Sequence, residues 1–333
     1  MLNRRCFITA GTASIFASHQ TTFAQAAPAQ TITKPAHLII GFPPGGAPDV
    51  LARLLAEHMK GYAPSVIIEN RPGAGGRIAL ETLKGAAADG SVMVLTPVDQ
   101  LALFPHVYAQ LGYRPLEDFA AVTPVCAVQF LVTIGPRVPA DVSTIGDFVR
   151  WCRDNPKAAT YGTAGAGTHP HFLGISFARA AHFDFVHVPY KGGVTVMQDV
   201  IGGHIAACIS TIGTLLPSIQ SNDLRALATS APSRSSALPN VPTFTEAGYP
   251  TLESLERFGL IVPAGTPADT VDRLYKSVRE ALAAESVRDG MVKLCLEPVQ
   301  ASPAEFSRLI ALRRSAGPRS SRHPASSRWS KDG

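Results

Sequence analysis

Three glycine-rich segments hold most of the chemistry this sequence offers: Pro43-Pro44-Gly45-Gly46-Ala47, Arg71-Pro72-Gly73-Ala74-Gly75-Gly76 and Thr163-Ala164-Gly165-Ala166-Gly167-Thr168. Each follows an apolar run of strand type and precedes a run of helical period. A helix start presents unpaired backbone N–H groups and a partial positive charge, which together favour an anion. Glycines let the main chain approach a ligand with no Cβ in the way. Thr163 and Thr168 add hydroxyl donors. A helix terminus contributes about 0.3–1 kcal/mol when exposed and up to about 2 kcal/mol when partly buried. A hydrogen bond to a charged group adds about 1.5–3 kcal/mol. Micromolar affinity needs about −8 kcal/mol, so two opposed helix starts with a few donors can hold a carboxylate without an arginine. The plainer reading is that the glycines only make tight turns. Three such loops, each between a strand and a helix, weigh against it.

Other chemistries fit less well. No GxxxxGK[ST] loop occurs, and Gly165-Ala166-Gly167-Thr168-His169-Pro170 lacks the third glycine of a dinucleotide fingerprint. Gly174-Ile175-Ser176-Phe177-Ala178 departs from a nucleophile elbow at its last position. His169 and His171 form an HxH pair, but residues two apart point away from each other on a helix. Surface or capping histidines are expected, with no metal, no cofactor and no catalytic residue. A secreted α/β enzyme working through His and Asp groups is kept as the second reading. It predicts turnover that His171→Ala abolishes. The wide spacing of Cys126, Cys152, Cys208 and Cys295 argues against zinc and redox motifs. Buried free thiols are favoured over two disulfides.

The elements that must position these loops follow from periodicity. His37–Phe42, Val66–Asn70, Val92–Thr96, Phe185–Val188, Ile205–Ile209 and Leu224–Ala228 read as strands. Pro48–Lys60 reads as a helix with Val50, Leu51, Leu54, Leu55 and Met59 on one face. Arg77–Lys84, a segment ending near Ala181, Val194–Ile201 and Thr270–Leu282 read as further helices. Alternation of this kind implies mainly parallel sheets flanked by helices. About 300 residues exceed one sheet, so two α/β lobes are expected. Ligands in such folds bind outside the carboxyl ends of strands, where all three glycine loops sit.

Hydrophobic residues make up 46% of the 333-residue chain and charged residues 17%, which excludes a disordered chain. Past residue 30 no apolar run approaches the ~20 residues of a membrane helix. The formal charge of +5 suggests an anionic polymer as partner until its placement is read. Arg4 and Arg5 lie at the start, and six of the cations crowd residues 313–333, leaving about −2 for residues 27–312. Nucleic-acid binding needs a basic stripe on the folded part, and none is present.

Residues 1–26 read as an export signal: Arg4-Arg5, a short apolar stretch from Cys6, then Ala24-Gln25-Ala26 as the cleavage pattern. Asn3-Arg4-Arg5-Cys6-Phe7-Ile8 resembles the twin-arginine type, which carries folded proteins. Residues 313–333 read as a basic tail, disordered or arising from a shifted reading frame.

At the glycine loops the sequence resembles the substrate-binding proteins of tripartite tricarboxylate transporters, the Bug receptors. The matching stretches are Gly41–Arg53 (GFPPGGAPDVLAR), Glu69–Gly76 (ENRPGAGG), Asp118–Val125 (DFAAVTPV), Tyr161–His171 (YGTAGAGTHPH), Val188–Gly193 (VPYKGG), Leu238–Pro250 (LPNVPTFTEAGYP) and Val262–Pro267 (VPAGTP). The resemblance covers essentially residues 31–310. The resemblance implies a two-lobed periplasmic-binding-protein fold of type II. Lobe 1 would comprise residues 27–127 and 247–312, and lobe 2 residues 128–246. It implies a monomeric periplasmic receptor with no catalysis, which closes on a small carboxylate anion. The partners would be the membrane subunits of the transporter or a sensor protein. Carried onto this sequence, the ligand contacts are Phe42, Pro44, Gly45, Gly46 and Asp49 in one loop and Thr163, Ala164, Gly165 and Thr168 in another. Thr96 at a strand end is a further candidate. Asp49 has a second role open to it, holding its own loop. Two departures stand out. Arg257-Phe258-Gly259 replaces the family's Trp-Gly pair, and the usual last helix is missing after Leu312. A degenerate, non-functional copy is the remaining alternative.

Overall fold

The computed structural model describes residues 32–316. The expected export signal and the twin-arginine motif lie outside the described residues, as does the tail from residue 317 onward. The chain opens with β1 (Ala36–Ile40), α1 (Ala47–Glu57), β2 (Val66–Asn70), α2 (Arg77–Lys84) and β3 (Val92–Pro97). β1 pairs in parallel with both β2 and β3, so α1 and α2 are the crossovers of two βαβ units. Leu38 and Ile40 join the core that holds Leu51 and Leu55 of α1. Ile39 points to the other face, among Leu80 and Leu83 of α2. A strand covered by helices on both faces is expected to be mainly apolar, and β1 is, except for His37, which pairs with Glu69 of β2.

Three short helices, α3 (Asp99–Ala102), α4 (Phe104–Val107) and α5 (Pro115–Asp118), lead into β4 (Phe119–Val128). After Gln129 the chain passes directly into β5 (Phe130–Ile134) of a second sheet. That sheet is completed by α6 (Ile145–Asp154), β6 (Thr160–Thr163), α7 (His169–Ala180), β7 (Val186–Pro189), α8 (Gly193–Ile201), β8 (Ala207–Thr211), α9 (Ile212–Gln220) and β9 (Arg225–Thr229). The rings of Phe244 and Tyr249 then pack on Phe177 of α7. The chain re-enters the first sheet as β10 (Glu256–Pro263), followed by α10 (Ala268–Ala283), α11 (Glu285–Lys293), β11 (Glu297–Pro298) and α12 (Pro303–Ala316).

The strand orders are β11-β4-β10-β3-β1-β2 and β7-β6-β8-β5-β9. In each sheet a parallel trio is extended by one antiparallel strand that arrives from the other lobe's side of the chain. That strand is β10 in the first sheet and β5 in the second. Periodicity finds β1, β2, β3, β7, β8 and β9 and misses β4, β5, β6 and β10. The run of β4 and β5 from Val122 to Ile134 is wholly buried, so no alternation marks it, and the antiparallel pairing of β4, β5 and β10 makes both sheets mixed.

The C-terminal boundary also differs from expectation. α12 continues past Leu312 to Ala316, so residues 313–316 are helical rather than tail. Ser302 and Glu305 form a reciprocal cap at its start. Phe306 is fully buried against Gly259, where an added Cβ would come within 2.1 Å of the ring. All four described cysteines are free thiols, and three of them are buried. Burial pushes Cys126 and Cys152 up to about 12. Among the described residues no helix is long and apolar enough to cross a membrane.

Candidate ligand-binding site

A cleft lies where the loops at the carboxyl ends of β1, β3, β6, β7 and β8 face one another. It encloses about 660 Å³ when the open solvent at its mouth is counted. α1 contributes Gly46 and Pro48, α7 His169 and Pro170 beside Thr168, α8 Gly193 and Val194, and α9 Thr214 beside Ser210 and Thr211. Pro97, Asp99 and Gln100 come from the end of β3, and the rings of Phe42, Phe104, Phe130 and Phe258 join the apolar wall. The lining contains neither lysine nor arginine.

The helix starts are built for this. Gly46 and Thr168 cap α1 and α7 in extended conformation, each with a proline in the first turn, where its fixed φ suits the helix. Neither they nor Thr211, which caps α9, makes a side-chain capping bond. The first-turn amides are therefore not covered by the capping side chain. The two lobes touch closely here. An added Cβ on Gly165 would meet the Gly75 backbone at 2.7 Å, and one on Gly192 would meet Pro43 at 2.2 Å. The Ala47 N–H donates to Thr214 Oγ1 at 3.2 Å, and Tyr108 donates its hydroxyl to the Ala166 carbonyl at 2.6 Å.

Of the expected contacts, Phe42, Gly46, Ala164 and Thr168 line the cleft. Pro44, Gly45, Asp49, Thr96, Thr163 and Gly165 are not among the lining residues. Asp49 is 2% exposed. It accepts from the Gly45 N–H, the Arg53 guanidinium and the Asn70 amide. Burial alone would raise its pKa, but those bonds outweigh burial and hold the carboxyl below its ordinary value. It therefore holds its own loop. Thr96, expected to face the cleft, is buried and donates to Gln100 Oε1 at 2.5 Å. Gln100 in turn donates to the Gly75 carbonyl, so the strand end braces the second glycine loop. Thr163 donates to the Gly165 carbonyl and meets His187 Nε2 at 2.8 Å. His171, expected at the surface or as a cap, is buried and accepts from the Gly167 N–H. Its ring stacks on His187 at 3.9 Å. Burial lowers His171 to about 4, and burial with the neighbouring His171 lowers His187 to about 3.

Sequence reasoning placed α8 but assigned no cleft residue to its start, and it missed α9 and a charged cluster in the cleft wall. Lys191-Gly192-Gly193 and the hydroxyl-rich end of β8 were signals for the two helix starts. In the cluster, His169 Nδ1 lies 3.0 Å from Asp99 Oδ2 and 3.7 Å from Glu256 Oε2. Arg313 Nη1 lies 3.3 Å from Asp99 Oδ1 and 3.7 Å from Glu256 Oε1. Burial would raise Asp99, but His169, Glu256 and Arg313 bring it down to about 2. Burial foremost, then the Asp99 charge, pushes Glu256 well above the usual carboxylate range. No local spacing announces this cluster, because Asp99 and Glu256 meet only when β10 inserts beside β3.

The sequence profile of the tripartite tricarboxylate transporter family receptors matches residues 51–316. Protein BugT of Bordetella pertussis is 31% identical over 86% of this chain and 89% of BugT. The solved periplasmic binding protein BugD superposes with a TM-score of 0.79 at 27% identity, over 85% of this chain and 94% of BugD. An R. palustris protein solved with adipate gives the same TM-score, identity and coverage. With this fold, these cleft loops and these relatives, the chain belongs to the receptor family of the tripartite tricarboxylate transporters.

Proposed function

We propose that the chain is a periplasmic receptor that closes its lobes on a small carboxylate-bearing solute and presents it to the membrane subunits of a tripartite transporter or to a sensor protein. The observation that carries this reading is the convergence of five strand-end loops on one cleft whose lining has no lysine or arginine. Backbone amides at the helix starts and the hydroxyls of Thr168, Ser210, Thr211 and Thr214 hold the carboxylate. The four phenylalanine rings take its carbon skeleton. Phe42, Gly46, Ala164 and Thr168 touch the solute, while Asp49, Thr96 and Thr163 keep their loops in shape. The relative with adipate supports a ligand with charged ends and an apolar stem. We take lobe 2 as residues 130–253 and lobe 1 as the remainder of residues 32–316. The receptor works as a monomer and turns nothing over. Ligand binding shifts its population toward the closed form.

Calorimetry on the mature protein with a panel of mono-, di- and tricarboxylates, amino acids and aromatic acids tests the reading. At least one should bind saturably near micromolar Kd and raise the melting temperature. Failure of every anion to bind would count decisively against it. Turnover of a panel member, abolished by His171→Ala, would move the protein to the enzyme class. A chain that does not unfold cooperatively would be a degenerate copy.

A further inference from the structure

The ionisable side chains that line the cleft are two acids and one imidazole: Asp99, Glu256 and His169. A bare carboxylate in that wall would repel an anionic solute, and burial leaves little water or salt to screen the repulsion. The bonds around Asp99 define how much charge the wall carries. His169 donates from Nδ1 to Asp99 Oδ2 at 3.0 Å, and its Nε2 lies 3.0 Å from Ser254 Oγ. A neutral imidazole can make both bonds, one nitrogen donating and the other accepting. Glu256 is 1% exposed and hydrogen-bonds to Asp99. Burial and the Asp99 charge push its carboxyl well above the usual range, so it enters the balance as a neutral acid. Against burial, the bonds from His169 and Glu256 and the charge of Arg313 hold Asp99 down at about 2, so it stays ionised. The lining by itself is left with one negative charge.

Arg313 cancels that charge. Its Nη1 lies 3.3 Å from Asp99 Oδ1 and 3.7 Å from Glu256 Oε1, and its Nη2 donates to the Leu255 carbonyl at 3.5 Å. Among the described residues no other lysine or arginine pairs with either acid. Arg313 is not itself part of the lining, so it acts on the cleft through the two acids. It stands in the last turn of α12. His106 Nε2 donates to the Arg314 carbonyl at 2.8 Å and ties that turn to α4. In the sequence this arginine opens the basic run that reads as a tail. In the fold it completes the cleft wall.

We propose that Arg313 is a positioning residue that sets specificity: by neutralising Asp99 from outside the lining, it makes the cleft accept an anion rather than a cation. The amides and hydroxyls at the helix starts still grip the carboxylate. Arg313 removes the repulsion they would otherwise work against. Without it the wall would hold an uncompensated buried charge. Discrimination of this kind works by exclusion, since a like charge turns the anion away and an opposite one admits an amine. The nature of the solute rests on the receptor reading; the charge of the wall does not.

The test is calorimetry on the mature chain with adipate, the other acids of the panel, and two amines of adipate's length. These are aminocaproate, with one carboxylate replaced by an ammonium, and hexanediamine, with both replaced. Arg313→Gln should weaken the acid that the parent binds best by about tenfold or more, and should shift preference toward the amines. Arg313→Lys keeps the charge and should stay close to the parent. Adding Asp99→Asn to Arg313→Gln makes the wall neutral again and should restore the acid. A purely structural arginine predicts the reverse, with two substitutions binding worse than one. Melting curves show whether each variant folds. If the double variant does not, the contrast between Lys and Gln at position 313 decides, and equal losses overturn the inference. Acid affinity unchanged in Arg313→Gln, or a loss that the folded double variant does not repair, also overturns it and leaves the receptor reading standing. If no acid binds the parent, that reading fails. Amine binding that appears in Arg313→Gln and vanishes in the double variant would then still support the charge role, and its absence would overturn both.

Discussion

Ala47 and Thr214 sit in different lobes, and the N–H of the first donates to the Oγ1 of the second at 3.2 Å. Thr211 Oγ1 meets the same hydroxyl at 2.9 Å. The first amide of α1 is therefore engaged in holding the cleft shut. Thr214→Val keeps the shape and leaves that amide unpaired, which costs the closed form about 1–3 kcal/mol. Small-angle scattering of the ligand-free variant should show a larger radius of gyration than the parent. An unchanged radius would mean the contact holds nothing.

Gly165 faces Gly75 across the lobe boundary, and backbone rather than a flexible side chain meets its added Cβ at 2.7 Å. Gly165→Ala must push the two loops apart. The expected result is a loss of at least tenfold in solute affinity by calorimetry. The melting temperature of the ligand-free protein should fall only slightly, because opening the lobes relieves the clash. A normal affinity would show that closure does not bring these loops together.

Asp49 ties Gly45, Arg53 and Asn70 into one loop. Asp49→Ala removes charge-assisted bonds, each contributing about 1.5–3 kcal/mol at most and less for the half-exposed Arg53. Chemical denaturation should show a loss of about 2 kcal/mol, with weakened solute binding as a consequence of the slack loop. Because the folded pKa is depressed, the parent keeps this stability above the ordinary carboxylate range and loses it as pH falls below about 4. The variant should lack that component of acid sensitivity.

The stacked His171 and His187 give the opposite group type the same direction. Both are held neutral by burial, with folded values of about 4 and about 3. The unfolded chain protonates them from about pH 6.5 downward, so it binds more protons than the folded chain. Stability is intact above that pH and is lost as pH falls toward 4. The slope is about 1.4 kcal/mol per pH unit for each histidine in the window. Replacing His187 with Gln should flatten the profile of unfolding free energy between pH 6.5 and 4. A profile identical to the parent's would place the proton uptake elsewhere.

The legible part of the fold was local. A strand, a glycine turn, a proline and an amphipathic run follow one another within a dozen residues, so α1 and α7 and the loops before them could be read directly. Asp99, Glu256 and Phe258 could not, because they reach the cleft through long-range pairing. Phe258 stands opposite Pro97 only in the register of β10 with β3. Thr96 shows a different limit. Strand polarity places it at the correct end, but the turn to Gln100 decides that its hydroxyl braces a loop. The folded part was expected to end at Leu312, where the composition turns basic, whereas α12 carries on to Ala316.

The insertion of β10 between β3 and β4 has a consequence for synthesis. The second sheet is drawn entirely from residues 130–229, whereas the first takes its inner strand from residues 256–263. On the ribosome the second sheet can therefore be complete while the first still has a gap. Leu95 of β3 and Thr123 of β4 then wait for Leu260, which pairs with both. A nascent chain released before codon 256 carries two bare strand edges, the kind that pair with other molecules and aggregate.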